Sequence, residues 1–465
     1  MRREVHGQAW KGQTRILLSL AWPAILEQLL LTTATYVDTA MIGVLGADAT
    51  AAVAVNSSVV FLIVGLLTAA GVGYSVQVAH SLGAGDWNHA DTVCRQALLG
   101  ALAVGVAGML CMGILSRWIP LWLGADVSIQ ADASRYLFFY ALGLPLQSCL
   151  AVFSAVLRCA GDTKTPLLFN AGANLLNIVF NFFLIFSPRT AALPGQTIHI
   201  WGAGLGVAGA AIGTALSGGI MGAAMVFLMF RRKGAARLAW GASYRPEGDI
   251  NRRAARLGLP VMLERAAYSG GQLVMTRMVT SLGNISLAAN HVAVTAEGIS
   301  YLPAQGVSFA STALVGQAVG AKDPEQARRY STISGVVGLA AGVFAGGLLF
   351  CLAVPLSALF TPDEQVIALA ADMLRIVAVS EPLFGLSIVL SGVLRGAGDS
   401  RSPFFIVLLG MWGVRMILAP VLLYGFRLAL SAIWIAMVAD LMVRGLLCWI
   451  RVKRLDWSRV CQKQP

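Results

Sequence analysis

Three polar side chains lie in apolar stretches of the chain, and their types and spacing favour binding of a small cation. Asp38 lies within the run VDTAMIGVLG, and Asn177 and Asn181 are four residues apart, so they share one face of a helix. A carboxylate in a low-dielectric environment can exchange a proton near physiological pH. Carboxylate and amide oxygens are also hard ligands suited to Na⁺. We predict that the three side chains form a site for H⁺ or Na⁺, whose loading changes the local charge by one unit.

Five further ionisable residues fall in apolar stretches later in the chain. They are Glu264, Arg265, Glu297, Glu381 and Arg415. An ionisable group at the centre of a membrane helix costs at least about 2.5 kcal/mol, so each one needs a partner or a function. Because the two signs nearly balance, two interpretations stay open: ion pairs that hold helices together, or a second functional cluster.

The elements that must position these side chains are predicted to cross a membrane. Of the 465 residues, 57% are hydrophobic and 12% are charged, and the mean hydropathy is +0.74. Soluble domains have about a quarter charged residues, and a membrane span needs roughly 20 apolar residues. The pattern is helical, without the alternation of a β-barrel, and it predicts an all-α integral membrane protein with twelve transmembrane helices. The spans begin near residues 16, 50, 90, 126, 166, 202, 253, 286, 326, 364, 402 and 429.

The twelve predicted spans divide into two related halves. VLRCAGDTKTP begins at residue 156, and its near copy VLRGAGDSRSP begins at residue 393, which defines a 237-residue offset (393 − 156). The same offset relates Glu27 to Glu264, and we infer an internal duplication. Six spans are an even number, so each half enters and leaves on the same side and the halves are parallel repeats. We predict a six-helix bundle over 1–230, a cytoplasmic linker over 231–250 and a second six-helix bundle over 251–465.

The repeated motif is typical of a helix–turn–helix corner. Gly161 suits a left-handed helix cap, while Thr165 and Pro166 suit the start of the next helix. Arg158 and Asp162 are four residues apart, a spacing that favours a local ion pair.

The offset also identifies polar residues that have no counterpart in the other half. Asp38, Asn177 and Asn181 correspond to Met275, Val414 and Leu418. In the opposite direction, Arg265, Glu297, Glu381 and Arg415 correspond to Gln28, Val60, Leu144 and Ile178. Glu264 alone has an acidic counterpart. Because duplication does not account for the unmatched residues, they are the candidates for function.

Positive charge is distributed as in a multi-pass membrane protein. The formal net charge is +12, and most of the 34 Lys and Arg residues fall on one side of the predicted spans. The positive-inside rule then places both termini in the cytoplasm. We expect the membrane to be a bacterial inner membrane. No basic stripe on a soluble face accompanies this charge, which argues against nucleic-acid binding.

The chain shows no motif of the common enzyme classes. A P-loop, a nucleophile elbow and a zinc-protease helix are all missing, and the seven cysteines do not have metal-ligand spacing. We therefore expect no enzyme activity, no cofactor and no metal beyond a coupling ion. If the protein moves solutes across the membrane, the lack of an ATP-binding motif means that an ion gradient would have to drive this movement.

The chain resembles the multidrug and toxic compound extrusion (MATE) transporters over nearly its whole length. The matching features are Pro23 with VDTAMIG, Gln317 with GQAVGAKD, and both LRxAGDxxxP corners. The resemblance implies two six-helix bundles around a V-shaped cavity, and export of lipophilic, often cationic, compounds against H⁺ or Na⁺. It also implies that Asp38 matches the family's first-helix acid, that Asn177 and Asn181 match its span-five polar pair, and that Pro23 marks a helix bend.

The chain departs from the family pattern at three positions. The DinF-like branch typically has an aspartate at the position of Asn181, and the NorM-like branch usually has acids at the positions of Tyr268 and Phe384. Here Glu264 and Glu381 lie about one helical turn from the two aromatic residues. The choice between H⁺ and Na⁺ therefore stays open.

The leading hypothesis is an ion-coupled exporter of small organic molecules that works as a monomer in the lipid bilayer. The alternative is a flippase for an anionic, lipid-linked precursor, which the arginines Arg265, Arg277 and Arg415 keep open. A membrane receptor has little need for a polar cluster within a duplicated bundle. A major-facilitator transporter has a charged, arginine-rich turn after its second span, where this chain reads SLGAGDWNHA.

Overall fold

Long helices form nearly all of the structure, a computed structural model that describes residues 2–193 and 196–462. The helices before residue 232 are α1 (Arg2–Gly43), α2 (Ala47–Gly83), α3 (Trp87–Leu115), α4 (Ile119–Trp122), α5 (Val127–Cys159), α6 (Lys164–Leu184) and α7 (Gly206–Arg231). After a connection without helix come α8 (Gly248–Thr280), α9 (Asn284–Ser300), α10 (Leu302–Gly320), α11 (Pro324–Cys351), α12 (Ala353–Ala358), α13 (Glu364–Ala378), α14 (Glu381–Gly396), α15 (Arg401–Leu408), α16 (Met416–Pro420), α17 (Ala429–Lys453) and α18 (Trp457–Gln462). Two π-helical segments, Leu409–Arg415 and Val421–Gly425, continue α15 and α16.

Nine helices in the described ranges are long and apolar enough to cross a membrane, and a tenth span results if α13 and α14 are counted together. The remaining candidates, α8 and the α9–α10 pair, contain breaks and charges. α8 carries Glu264, Arg265 and Arg277, and α9 is only 17 residues long before the chain breaks at Tyr301. The predicted spans that are too short or too polar to be recognised as membrane-crossing helices are thus those with charged side chains or interruptions.

A two-stranded hairpin interrupts the predicted all-α architecture. Strand β1 (Arg189–Leu193) pairs antiparallel with β2 (Gln196–Ile200) between α6 and α7, with Arg189 opposite Ile200. The strand residues Thr197, Ile198 and Ile200 are β-branched and favour extended backbone. The sequence analysis missed this hairpin because it is short and lies between long apolar helices.

Contacts recur between the two halves at the 237-residue offset. α1 packs against α10 and, at that offset, α8 packs against α2. Asp86 accepts a hydrogen bond from the backbone N–H of His89 at 2.9 Å, and Asp323 accepts one from Gln326 at 2.9 Å. These acids cap α3 and α11 in the same way.

The two corner motifs have the predicted turn and a different set of partners. Gly161 and Gly398 have φ angles of 87° and 83°, values open to glycine at low cost. The predicted local pair of Arg158 with Asp162 is wrong. Asp162 instead pairs with Arg232 at 2.8 Å, and its Oδ1 caps α6 by accepting the N–H of Thr165 at 3.1 Å.

α14 is bent by 59° relative to α13, where the corresponding helix of the first half, α5, runs unbroken. Pro382 lies at the start of α14, and a proline ring collides with the carbonyl four residues earlier. α5 contains Pro145 at the same offset and remains one helix. We call the end of the molecule that carries the two corners, at 156–166 and 393–403, the corner end.

Candidate functional site

Asp38, Asn177 and Asn181 come together where α1 meets α6. The Asn181 Nδ2 donates to Asp38 Oδ1 at 2.9 Å. With its amide nitrogen turned to Asp38, Asn177 donates to Oδ1 at 2.6 Å and lies 3.1 Å from Oδ2. Asp38 is half-buried, while Asn177 and Asn181 are buried. The carboxylate therefore faces two amide donors from a neighbouring helix, which stabilise its charged form.

α7 holds the two asparagines in place. When the Asn177 amide nitrogen donates to Asp38, the Asn177 oxygen accepts from the Thr214 hydroxyl at 3.1 Å and from the Thr214 backbone N–H at 3.3 Å. A Cβ at Gly213 would collide with the Asn181 Oδ1, so this position needs glycine. The sequence analysis did not identify either α7 residue. The available signal was a hydroxyl beside a glycine in an otherwise small and apolar helix.

Asn181 has one polar atom without a partner. Its Oδ1 is buried and accepts no hydrogen bond among the described residues, while its Nδ2 is used on Asp38. Buried carbonyl oxygens are normally hydrogen-bonded. The site therefore has one unused acceptor, on the same amide group that contacts the carboxylate.

Glu264 forms an ion pair within the second half, and the first half contains a corresponding ion pair. Glu264 accepts from Arg395 Nη2 at 2.8 Å through both carboxylate oxygens. At the 237-residue offset, Glu27 accepts from Arg158 Nη1 at 2.8 and 3.1 Å. Each pair joins the first helix of its half to the helix that ends at the corner. The repetition indicates that both pairs belong to the scaffold.

Glu297 and Glu381 are buried and take no part in the Glu264–Arg395 ion pair. Glu381 accepts a hydrogen bond from Ser300 Oγ at 3.1 Å. Neither glutamate forms an ion pair with a described residue. Arg265 is half-buried, and its Cβ packs against Gly65 of α2, on the other half of the chain. No ion pair within the described residues joins the five predicted charges to one another.

Arg415 belongs to a buried triad that the sequence analysis missed. Its Nε donates to Asp440 Oδ2 at 2.9 Å, and Arg444 donates to the same carboxylate at 2.5 and 2.6 Å. All three side chains are at most 5% exposed. Gly410 is required here because a Cβ would collide with Asp440 Oδ1. The signal was available in the sequence, since Asp440 and Arg444 are four residues apart in an apolar helix.

A π-helical segment positions the triad. Leu409–Arg415 is π-helical and ends on the arginine that contacts Asp440. Such segments inside α-helices occur frequently at functional sites. Tyr268, one helical turn after Glu264, lies with its ring 5.9 Å from the Arg444 guanidinium carbon. Phe384, one turn after Glu381, packs edge-on against Tyr301 at 5.8 Å.

Pro23 lies inside α1, which is one unbroken helix from Arg2 to Gly43 in this conformation. A proline in a helix interior removes one backbone hydrogen bond and weakens the helix at that point. Pro23 lies about four helical turns before Asp38 on the same helix.

The family model described as MatE matches residues 23–183 and 260–421, which together make up more than half of the chain. The two matched segments begin at Pro23 and Pro260, which correspond under the internal duplication. The family model therefore matches each half once, and the starts of the two matches are separated by the same 237 residues that relate the contacts of the two halves.

Curated relatives and solved structures resemble the chain over nearly its full length. It is 28% identical over 431 residues to a probable multidrug resistance protein NorM of Thermotoga maritima, covering 93% of this chain and 90% of the relative. It is 25% identical to the uncharacterized transporter YisQ of Bacillus subtilis, covering 96% and 95%. A transporter of the MOP superfamily from Pyrococcus furiosus matches in structure with a TM-score of 0.88 at 21% identity, covering 97% of each chain. The MATE transporter VcmN of Vibrio cholerae, in the bent form, matches with 0.87 at 18% identity, covering 98% and 99%.

Proposed function

Because the chain belongs to the MatE family of membrane transporters, we propose that it exports lipophilic, often cationic, small molecules from the cytoplasm in exchange for an ion. The observation that carries this proposal is the Asp38 carboxylate held by two amide donors of α6. A half-buried carboxylate with adjustable partners can be loaded and unloaded as the protein changes state. The relatives named as multidrug resistance proteins support the choice of substrate class.

The proposed architecture is twelve spans in two parallel six-helix repeats, over 1–230 and 251–465, with 231–250 as the cytoplasmic linker. The recurrence of the α1–α10 and α8–α2 packing at one offset supports it. The substrate would occupy a V-shaped cavity between the repeats. We further propose a monomer in the bacterial inner membrane, with both termini cytoplasmic.

We propose H⁺ as the coupling ion. Amide nitrogens, not amide oxygens, face Asp38. Binding Na⁺ would require both amides to turn their oxygens inward, since the ion accepts only oxygen ligands at such a site. A proton needs one amide to turn, so that its oxygen accepts the new carboxyl O–H. Asn181, whose Oδ1 has no partner among the described residues, is the amide that we expect to turn.

Loading would act on α1 through Pro23. Protonation removes the charge that the two asparagines stabilise and so weakens the contact of α1 with α6. The part of α1 beyond Pro23 would then bend, because the helix lacks a backbone hydrogen bond at that residue. Release of the contact and bending of α1 would together change access to the cavity.

Burial of the second-half triad supports an exporter better than a flippase for anionic precursors. Arg415 and Arg444 share the Asp440 carboxylate and are at most 5% exposed, so neither guanidinium is accessible to an anionic substrate in this conformation. The relatives' names do not favour the flippase either. We assign the triad and the Glu264–Arg395 pair to holding the second half together. Arg265 packs against Gly65 of the other half, and Glu297 and Glu381 stay candidates for a functional role.

The test is dye efflux from proteoliposomes in which a pH gradient and a Na⁺ gradient are imposed separately. We expect an inward H⁺ gradient to drive export of a lipophilic cationic dye. A Na⁺ gradient should leave the export rate unchanged. Efflux driven by Na⁺ alone would overturn the choice of ion. Efflux that needs neither gradient, or selective movement of an anionic lipid precursor, would overturn the proposed exporter.

A further inference from the structure

Two hydrogen bonds with the same geometry join the halves at the corner end. His80 Nε2 on α2 lies 2.8 Å from the Gly396 carbonyl oxygen at the end of α14. Gln317 Nε2 on α10 donates to the Cys159 carbonyl oxygen at the end of α5, also at 2.8 Å. The 237-residue offset relates His80 to Gln317, and it also relates Cys159 to Gly396. The two bonds are therefore counterparts under the internal duplication, and each runs from one half to the other.

The acceptors are carbonyls that the helices themselves leave unused. The last four carbonyls of a helix have no partner within that helix, and Cys159 and Gly396 are the last residues of α5 and α14. A carbonyl oxygen only accepts, so His80 presents Nε2–H to Gly396. Losing either bond would leave a carbonyl unsatisfied in a buried seam, which costs more than the net value of a hydrogen bond.

Paired glycines bring the same two helices into close contact beside these bonds. A Cβ at Gly83 of α2 would collide with the Gln317 carbonyl oxygen, and a Cβ at Gly320 of α10 would collide with the His80 carbonyl oxygen. Gly83 and Gly320 also correspond under the internal duplication. The seam between α2 and α10 is thus closed by backbone contact as well as by the two side chains.

We propose that the His80–Gly396 and Gln317–Cys159 bonds form a reciprocal latch that keeps the corner end closed and has to open for the opposite access state. This inference rests on the proposed alternating access. Contacts present in one state and absent in the other set the populations of the two states. The latch has the required property, because neither bond can persist once the halves separate at the corner end.

Cys159 provides a native reporter of latch opening. Its side chain is buried and packs in the same seam with Ala79 of α2 and Ala313 of α10. A thiol reagent can reach it only when the halves part. Labelling by N-ethylmaleimide of the purified full-length protein in lipid nanodiscs, quantified on the Cys159 peptide by mass spectrometry, therefore measures opening without replacing the other cysteines.

We expect His80→Ala and Gln317→Ala each to raise the Cys159 labelling rate roughly fivefold to tenfold, since each leaves its carbonyl acceptor unsatisfied. His80→Ala should have the larger effect, because His80 Nδ1 also lies 3.4 Å from Arg253 Nη2 of the other half. The double variant should label faster than either single variant. His80→Gln should label more slowly than His80→Ala, because glutamine can restore the bond to the Gly396 carbonyl, as Gln317 does at the corresponding position. Gly83→Ala, which forces the seam apart, should raise the rate independently of either side chain.

Ser311→Ala is the matched control. Ser311 is also buried on α10 and donates to Ser334 Oγ at 2.8 Å, but that bond lies within one half. Its loss should leave the labelling rate unchanged. A rise as large as that of Gln317→Ala would mean that general loosening, and not latch opening, exposes Cys159.

Unchanged labelling in both alanine variants would overturn the latch, and so would His80→Gln behaving like His80→Ala. Should one alanine variant fail to fold, the other and Gly83→Ala still decide the question. Labelling needs neither a substrate nor an ion gradient. A protein that labels as expected but exports no dye would therefore refute the proposed function and leave the latch in place.

Discussion

The two halves of the molecule share contacts that hold helices together and differ in their other buried polar groups. Glu27–Arg158 and Glu264–Arg395 occupy corresponding positions with the same ion-pair distance of 2.8 Å. Where the first half places Asp38 and Asn181 in contact, the second half has Met275 and Leu418. A contact that both halves keep is explained by the fold. A polar contact that only one half has needs a further reason, which we take to be transport.

The second half has its own unmatched polar group, and its chemistry is different. Arg415 and Arg444 share the Asp440 carboxylate, and all three side chains are at most 5% exposed. Asp38 is half-buried, and the Asn181 Oδ1 has no hydrogen-bond donor in the part of the chain that the structure describes. A closed, paired network stabilises or specifies a structure. A network with an open acceptor can change its bonding when an ion arrives. We therefore propose that ion coupling belongs to the first half and that the triad stabilises the second.

The strongest test of this assignment is Asp38→Asn. The amide cannot change charge, so we expect dye export to fall to the level of empty proteoliposomes while the protein remains folded and inserted. Asp48→Asn is the control, because Asp48 is exposed in the first turn of α2 and contacts none of the site residues. Export by the Asp38 variant at the wild-type rate would remove the first-half site from the mechanism.

The contact of Asp38 with the asparagines could be anticipated because two sequence signals coincide. Helical spacing places Asn177 and Asn181 on one face, and the 237-residue offset shows that the other half lacks them. Which amide atom faces the carboxylate could not be anticipated, since it depends on Thr214 and Gly213 of α7. A sequence states which residues repeat, and only packing determines which atoms meet.

Two errors show where local reasoning fails. Arg158 was expected to pair with Asp162, but the helix ends at Cys159 and the chain turns at Gly161, so the four-residue spacing is not helical there. Asp440 and Arg444 were overlooked although they lie at helical spacing inside α17. Their third partner, Arg415, is positioned by a π-helical segment, for which the sequence carries no simple pattern.

The triad offers the next test, and here the expected effect is on stability. Asp440→Asn leaves Arg415 and Arg444 buried together without a neutralising charge, and removing one member of a buried ion pair costs about 3–5 kcal/mol. The free energy of unfolding in mixed micelles, from titration with a denaturing detergent, measures this loss. Asp372→Asn is the control, because its pair with Arg375 is exposed, and such pairs contribute at most about 1 kcal/mol. Loss of export in a fully stable Asp440 variant would instead give the triad a part in transport.

The duplicated ion pairs should respond alike, which tests the scaffold side of the comparison. Glu27→Gln and Glu264→Gln each remove the charge of a carboxylate that accepts from one guanidinium nitrogen through both oxygens. Hydrogen bonds to charged groups are worth about 1.5–3 kcal/mol, and we expect each variant to lower the free energy of unfolding by about that amount. Glu27 should have the larger effect, because its side chain is 3% exposed against 14% for Glu264 and it also accepts from Asn170 at 2.9 Å. If one variant lost export while remaining as stable as the other, that glutamate would have a function beyond its counterpart's.

The smallest expected effect separates the two candidate ions by its direction. Asn181→Ala removes a hydrogen bond to the Asp38 carboxylate, and such bonds to charged groups are worth about 1.5–3 kcal/mol. If the ion is H⁺, Asn181 bonds to both forms of Asp38, but its bond to the charged carboxylate is roughly twice as strong as a bond to the neutral carboxyl. Loss of the amide therefore favours the protonated form. Half-maximal export should then shift by roughly one pH unit toward alkaline pH. If the ion is Na⁺, loss of an oxygen ligand should raise the Na⁺ concentration needed for half-maximal export.

Asn174→Ala is the control on the same helix, since its side chain reaches the Leu30 carbonyl and not Asp38. A profile unmoved by Asn181→Ala in both pH and Na⁺ titrations would show that the amide does not support ion binding, leaving Asp38 without the partner that distinguishes the first half from the second.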